Sequence, residues 1–158
     1  LVACPHAQAH FAFPAPVLAW RENNLTFSIA TDAGCCNDSM DIQAELRLLS
    51  AMPAIAVSYG KGMHQLLNED VQSEAIVNEL WRIRQEAHVV QDTAFCPSQL
   101  LETVWANPGN MHPKMHLGEI VEGAHANLII MDMNHPAMWS GGLDPLRAMT
   151  FSHSAGLI

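Results

Sequence analysis

The stretch Leu25-Thr26-Phe27-Ser28-Ile29-Ala30-Thr31-Asp32 decides the fold that we predict for this chain. Its apolar and β-branched residues alternate only weakly with polar ones, a pattern typical of a strand covered on both faces. The run ends in a carboxylate, and in a parallel α/β barrel the reactive side chains lie at the C-terminal ends of the strands. Asp32 is therefore a candidate to bind a metal ion and to accept a proton from metal-bound water. The alternative is that Asp32 caps the turn that follows the strand.

Helices and short strands are predicted on both sides of this stretch. Residues 1–3 look like the end of a buried strand, residues 4–14 like a loop, and Pro16 can open a helix. Ser39 or Asp41 caps the next predicted helix, which carries Ile42, Leu46 and Leu49 on one face and ends at Pro53. Two more helices are predicted, one over 68–87 and one that starts at Pro97 and is broken by Asn107-Pro108-Gly109. The last predicted elements are strands over 118–123, 126–132 and 149–152. The strands at 1–3 and 25–30 cannot cover these helices alone, so we expect partner strands outside the chain.

Composition and charge restrict the class of protein. The chain has 158 residues, of which 49% are apolar and 15% charged, as in a globular protein. Its net charge of −9 and its seven scattered Lys and Arg residues argue against a nucleic-acid surface. The longest apolar runs, such as 126–133, are too short to span a membrane. Four cysteines without Cys-x-x-Cys spacing are typical of reduced thiols in a cytosolic protein.

Both ends of the sequence are apolar. The chain starts at Leu1 without Met and stops at Gly156-Leu157-Ile158, whereas natural termini are usually polar. We therefore expect a fragment of a longer protein.

The loop after the decisive strand carries a resemblance to a known family. Thr31-Asp32-Ala33-Gly34-Cys35-Cys36-Asn37-Asp38-Ser39-Met40-Asp41 resembles the last barrel strand and loop of the amidohydrolase superfamily. The nearest branch contains the guanine, S-adenosylhomocysteine and cytosine deaminases and the triazine hydrolases. Further segments are similar to family motifs in the same order along the chain, namely Cys4-Pro5, Ala15-Pro16-Val17, the helix 100–107, residues 118–128, and Asp144-Pro145-Leu146. Departures from the family pattern are Ala33, Ala124 and Asn127.

The resemblance implies a fold and an activity. Residues 1–110 would form the last strands of a (β/α)8 TIM-type barrel, and residues 111–158 part of a small β-sandwich domain. The protein would be a metal-dependent hydrolase acting on C–N bonds other than peptide bonds, by deamination of a purine, pyrimidine or triazine. Asp32 would ligate one Zn²⁺ or Fe²⁺ and move the proton of the attacking water. Such enzymes are often homodimers, so the resemblance implies a homodimer. The expected enzyme is cytoplasmic, acts on a small molecule and binds neither nucleic acid nor a membrane.

Three further residues are candidates to bind substrate. His6 and His10 lie in the loop after the first strand, on the side where Asp32 should emerge, and Asn37 lies in the loop after Asp32. The alternative for the two histidines is an exposed loop without a role. His112 and His116 share the same spacing around Pro113, which is a weak indication of a metal site.

Other functions remain open at this point. The family's His-x-His pair and its further His and Glu residues cannot be placed in this chain, and a catalytic zinc needs about three protein ligands. The same superfamily contains hydrolases of cyclic and linear amides, and the chain as given could be a catalytically incomplete fragment. The zinc cytidine-deaminase fold is a poor competitor, because its His-x-Glu and Pro-Cys-x-x-Cys motifs are absent from the sequence.

Overall fold

A computed structural model describes residues 1–36, 39–69, 73–141 and 144–152. The structure is 55% helix and 3% strand. Its elements, in chain order, are β1 (Val2–Ala3), α1 (Pro5–His10), α2 (Val17–Glu22), β2 (Ser28–Ile29), α3 (Ile42–Gly60), α4 (Met63–Leu66), α5 (Glu74–Ala94), α6 (Pro97–Glu102), α7 (Ala106–Asn110), a 3-10 helix (Pro136–Gly141) and α8 (Pro145–Phe151). Two compact units are formed, one by residues 1–48 with the described residues from Pro97 onward, the other by residues 49–96.

The two strands form a parallel pair in the first unit. Val2 lies opposite Ser28 and Ala3 opposite Ile29, and α1 and α2 make the crossover between the strands. The N–H of Ser28 donates to the Leu1 carbonyl at 3.0 Å, and the N–H of Ala30 donates to the Ala3 carbonyl at 2.9 Å. The apolar runs at 1–3 and 25–30 therefore do form strands, although each strand is only two residues long.

The predicted TIM-type barrel is wrong, and the second edge of β2 gives the physical reason. The N–H of Ile29 donates to the Thr103 carbonyl at 3.1 Å, and Asn107 Nδ2 donates to the Phe27 carbonyl at 2.8 Å. In a barrel, these groups of β2 would pair with a further strand. Here the turn after α6 and the first turn of α7 occupy them, so the sheet of the described residues stops at two strands.

The predicted β-sandwich is also wrong for the described residues. Residues 118–123 form turns instead of a strand: φ is +83° at Gly118 and +86° at Gly123, and the N–H of Ala124 donates to the Val121 carbonyl at 3.2 Å. Residues 126–132 lie outside regular structure, and Ile130 is 86% exposed. An apolar segment of this kind needs neighbouring strands to form a sheet, and the described residues provide none.

The predicted strand over 149–152 is replaced by helix α8. Asp144 caps this helix, because its Oδ1 accepts the N–H groups of Leu146 at 3.0 Å and Arg147 at 3.2 Å. Pro145 occupies the first helical position, where its missing N–H costs nothing. A strong helix start thus outweighs the short apolar run that follows it.

Two predicted helix ends are wrong for reasons specific to proline. Helix α3 continues through Pro53 to Gly60, and the Pro53 ring is fully buried, so burial of apolar surface offsets the lost hydrogen bond. Helix α7 contains Asn107-Pro108-Gly109, with Pro108 in its first turn, where no N–H is required. Helix α5 begins after Ser73 and runs to Ala94, later than predicted. Residues 4–14 are not all loop, because Pro5 opens α1.

A close backbone crossing fixes the region after α7. An added Cβ at Gly109 would lie 2.2 Å from the Leu117 carbonyl oxygen, and one at Gly118 would lie 2.2 Å from the Trp105 carbonyl oxygen. The segment around 117–118 therefore passes directly over the segment 105–109, which requires glycine at both positions.

The second unit is helical and carries a surface network of charges. Lys61 Nζ lies 2.7 Å from Glu86 Oε2, and Arg82 binds both Glu79 and Glu86 along one face of α5. All four side chains are partly exposed, so the network contributes little to stability in salt. In the described parts of the chain, no helix combines the length and the apolar content needed to cross a bilayer.

Candidate functional site at the carboxyl edge of the strand pair

The carboxyl ends of β1 and β2 place two predicted regions side by side. Because the strands are parallel and in register, Cys4 after β1 and Thr31-Asp32 after β2 leave the sheet at the same edge. The Cys4 thiol lies against the backbone N–H groups of Ala30 and Asp32. This edge is the candidate functional site of the chain.

Asp32 is exposed and adopts a left-handed backbone conformation with φ of +61°. Aspartate tolerates this conformation because its short side chain can bond locally. Its Oδ1 accepts the N–H of Ala33 at 2.7 Å, and the N–H of Cys36 donates to the Ala33 carbonyl at 2.9 Å. The carboxylate therefore caps its own turn and faces solvent at the edge of the strand pair.

His6 lies in helix α1, not in a loop, and contacts a buried carboxylate. Its ring Nδ1 is 3.1 Å from Glu45 Oε1, and its backbone N–H donates to Glu45 Oε2 at 2.9 Å. The His6 side chain is 40% exposed, whereas that of Glu45 is completely buried. The Nδ1 atom is itself buried, and its approach to Glu45 Oε1 lacks hydrogen-bond geometry in the structure, so the two groups are close neighbours.

His10, the second predicted substrate residue, is not brought into this cluster. His10 ends α1, is exposed, and packs edge-on against Phe11 with ring centroids 5.2 Å apart. Asn37 lies outside the described residues.

Cys4 joins the two halves of the site. Burial, and then the carboxylates of Asp32 and Glu45, raise the pKa of the Cys4 thiol. Cys4 is therefore protonated at neutral pH and is a poor nucleophile. The hydrogen-bonding contact with Cys35, whose sulfur is 3.6 Å away, raises the pKa of Cys36 in the same direction. The four cysteines, all within the described residues, form no disulfide.

Glu45 was not among the site residues predicted from the sequence, although the sequence contains a signal for it. Ile42, Leu46 and Leu49 share one face of a helix, and Glu45 falls on that same face, three residues after Ile42 and four before Leu49. Charged residues are almost never fully buried unless they are paired. A carboxylate within an apolar stripe therefore predicts a polar partner, and the structure places His6 next to it.

No complete metal centre is present in the part of the chain that the structure describes. No group of three or more His, Cys, Asp or Glu side chains there could hold a metal ion. The weak candidates His112 and His116 have other contacts. Nδ1 of His112 accepts the N–H groups of Lys114 and Met115, and Nε2 of His116 lies 3.6 Å from Glu119.

A surface groove in the second unit is a weaker candidate site. It measures about 340 Å³ and is lined by Met63, Leu67, Val77, Leu80, Trp81 and Arg84. Its lining is apolar apart from Arg84, whose guanidinium lies 4.9 Å from the Trp81 ring centroid. A groove without a carboxylate, thiol or imidazole lacks groups for hydrolysis, so the strand edge is the better site.

Comparisons with known proteins add no assignment. No protein-family model, no curated protein and no solved structure matches the chain.

Proposed function

We propose that this chain contributes to a metal-dependent hydrolase of the amidohydrolase kind, which cleaves C–N bonds other than peptide bonds. The reaction is the deamination of an N-heterocyclic purine, pyrimidine or triazine. The observation that carries the proposal is the exposed Asp32 carboxylate at the carboxyl edge of a parallel strand pair. Cys4 and His6 lie in the segment that follows the other strand, β1. The enzyme would act as a homodimer in the cytoplasm, and four cysteines that form no disulfide support a reducing compartment.

The described residues do not fit a complete Zn²⁺ or Fe²⁺ site. A catalytic zinc has about three protein ligands, and the described residues supply no such group. Further ligands would have to come from residues other than those described.

Asp32 has the properties of a proton acceptor. The Ala33 N–H fixes its Oδ1, so the carboxylate is oriented without being buried. A carboxylate held in this way can take the proton of an attacking water and return it to the departing nitrogen, a role that contributes about 10²- to 10⁴-fold to a rate.

The test uses protein expressed from its complete open reading frame. Metal content is measured by elemental analysis, and ammonia release is measured with guanine, cytosine, a diaminotriazine and a panel of cyclic amides. We expect ammonia from at least one heterocyclic amine, and we expect Asp32→Asn to lower kcat/KM by about 100-fold or more. Asp92→Asn, the same change at an exposed position of α5, is the matched control and should have no effect.

Two results would overturn the proposal. One is metal-loaded wild-type protein that releases no product from any member of the panel. The other is an Asp32→Asn variant as active as Asp92→Asn. Hydrolysis of the amides alone would assign the protein to the amide-hydrolysing alternative and would refute deamination.

A further inference from the structure

Glu45 carries a fully buried carboxylate next to His6. It lies in the first turn of α3 and is 0% exposed. Burying a charged carboxylate is costly unless other groups compensate it. Its two oxygens face two atoms of His6. Oε2 accepts the backbone N–H of His6, and Oε1 lies 3.1 Å from the ring atom Nδ1.

The His6 ring is buried on one side only. Nδ1 is shielded from water, whereas 40% of the side chain remains exposed, which leaves the edge with Nε2 accessible. A carboxylate oxygen is an acceptor only, so a lone pair on Nδ1 pointing at it would be repulsive. The neutral imidazole next to Glu45 should therefore carry its proton on Nδ1 and expose an unprotonated Nε2.

The location of His6 connects this pair to the strand edge. The carboxylates of both Asp32 and Glu45 raise the pKa of the Cys4 thiol, so both acids act on this one side chain. His6 follows Cys4 by two residues in α1, so it lies close in the chain to the edge of the strand pair from which Asp32 also emerges.

We propose that Glu45 is a positioning residue that holds the proton on Nδ1 of His6, so that the exposed Nε2 accepts a hydrogen bond from an N–H group of the substrate. The substrate class follows from this chemistry: a heterocycle with a ring N–H or an exocyclic amino group near the bond that is cleaved. The recognition role rests on the proposed function, whereas the tautomer of His6 does not.

The first test measures the His6 tautomer, without any need for activity. Long-range proton–nitrogen correlation spectra at about pH 9, where imidazoles are neutral, distinguish the two ring forms. The wild type should show the Nδ1–H form. In Glu45→Gln, the side-chain amide oxygen can still accept the backbone N–H of His6, while the glutamine NH₂ group donates to Nδ1. The ring should therefore switch to the Nε2–H form.

The matched control is Glu102→Gln, the same change at an exposed position of α6, which should leave the ring in the Nδ1–H form. A wild-type ring in the Nε2–H form would overturn the proposal even if the Glu45 variant failed to fold. A tautomer unchanged in folded Glu45→Gln would overturn it as well.

The second test uses the substrate that the wild type hydrolyses. Glu45→Gln and His6→Asn should raise KM by about tenfold for a substrate with the N–H donor, because one hydrogen bond is lost. They should change KM much less for an analogue N-methylated at that position. Equal effects on both compounds would refute the recognition role. A wild type that hydrolyses nothing would refute the proposed function and leave the tautomer result standing.

Discussion

Replacing Gly118 by alanine tests the close backbone crossing after α7. The new Cβ would lie 2.2 Å from the Trp105 carbonyl oxygen and 2.9 Å from its carbonyl carbon. Both distances are far shorter than an ordinary van der Waals contact, and both atoms belong to the backbone, which cannot rotate away. Gly123 provides a matched control, because its φ of +86° is almost the same as the +83° of Gly118 and an added Cβ there meets no atom within 4 Å.

The expected magnitudes follow from separating the two costs. Alanine in the left-handed region costs about 1 kcal/mol at either position. At Gly118 the overlap adds about 1–3 kcal/mol, as for other overpacked sites. Moving Trp105 away would also strain the bond that its carbonyl accepts from the Gly109 N–H at 3.1 Å. We therefore expect a loss of about 1 kcal/mol for Gly123→Ala and about 2–4 kcal/mol for Gly118→Ala.

The assay is thermal and urea denaturation followed by far-ultraviolet circular dichroism. For a chain of this size, each 1 kcal/mol lowers Tm by about 2–4 °C. Gly118→Ala should therefore melt several degrees below Gly123→Ala. Equal melting temperatures for the two variants would show that the crossing between 105–109 and 117–118 is not as close as described.

Two further predictions concern caps and charges. Asp144→Ala removes the side chain that caps α8 and should lower the free energy of unfolding by about 1 kcal/mol in urea denaturation, whereas Asp144→Asn should retain most of it; an unchanged urea midpoint in the alanine variant would contradict the cap. Lys61, more than Arg82, holds the pKa of Glu86 below its ordinary value of 4.5, so at low ionic strength the pair adds a small stabilisation above that pH and loses it as the pH falls through the lowered pKa. In Lys61→Ala, the free energy of unfolding measured in urea should therefore fall less than in the wild type as the pH is lowered from neutral to below 4.5. An identical pH dependence in the variant and the wild type would contradict this role of Lys61.

The parallel strand pair could be predicted because its signal is local. The apolar runs at 1–3 and 25–30 indicate two strands, and the structure pairs them in parallel. Their length could not be predicted, because Thr103 and Asn107 satisfy the outer edge of β2 from a distant part of the chain. A contact of this range leaves no trace in the periodicity of either segment.

The later strands failed as predictions because an apolar run does not name its partner. Residues 126–132 have the composition of a strand, but pairing is decided by neighbours that the segment does not encode. At the last predicted strand the sequence did contain a contrary signal. Asp144 followed by Pro145 is a strong helix start, which carries Met149 and Phe151 into α8.

The candidate site was predicted in part. The position of Asp32 after a strand follows from the sequence, and so does the nearness of the two strand ends. The helical state of His6 was not predicted, because Pro14 and Pro16 favour a loop. The structure shows that Pro5 opens a helix well before those prolines. His6 and Glu45 are 39 residues apart, so their contact could not be predicted from the sequence. The carboxylate on the apolar face of α3 does predict that Glu45 has a partner.

The bonds that Thr103 and Asn107 make to β2 also protect the protein from its neighbours. An open strand edge can template pairing with another molecule and so begin domain swapping or fibril growth. Here the outer groups of Phe27 and Ile29 are covered from within the chain, so that side of the sheet offers no ladder to a second molecule. A proteolytic cut between α6 and α7 would free the Ile29 N–H and the Phe27 carbonyl to pair with a strand of another molecule. The outer edge of β2 would then be able to start aggregation.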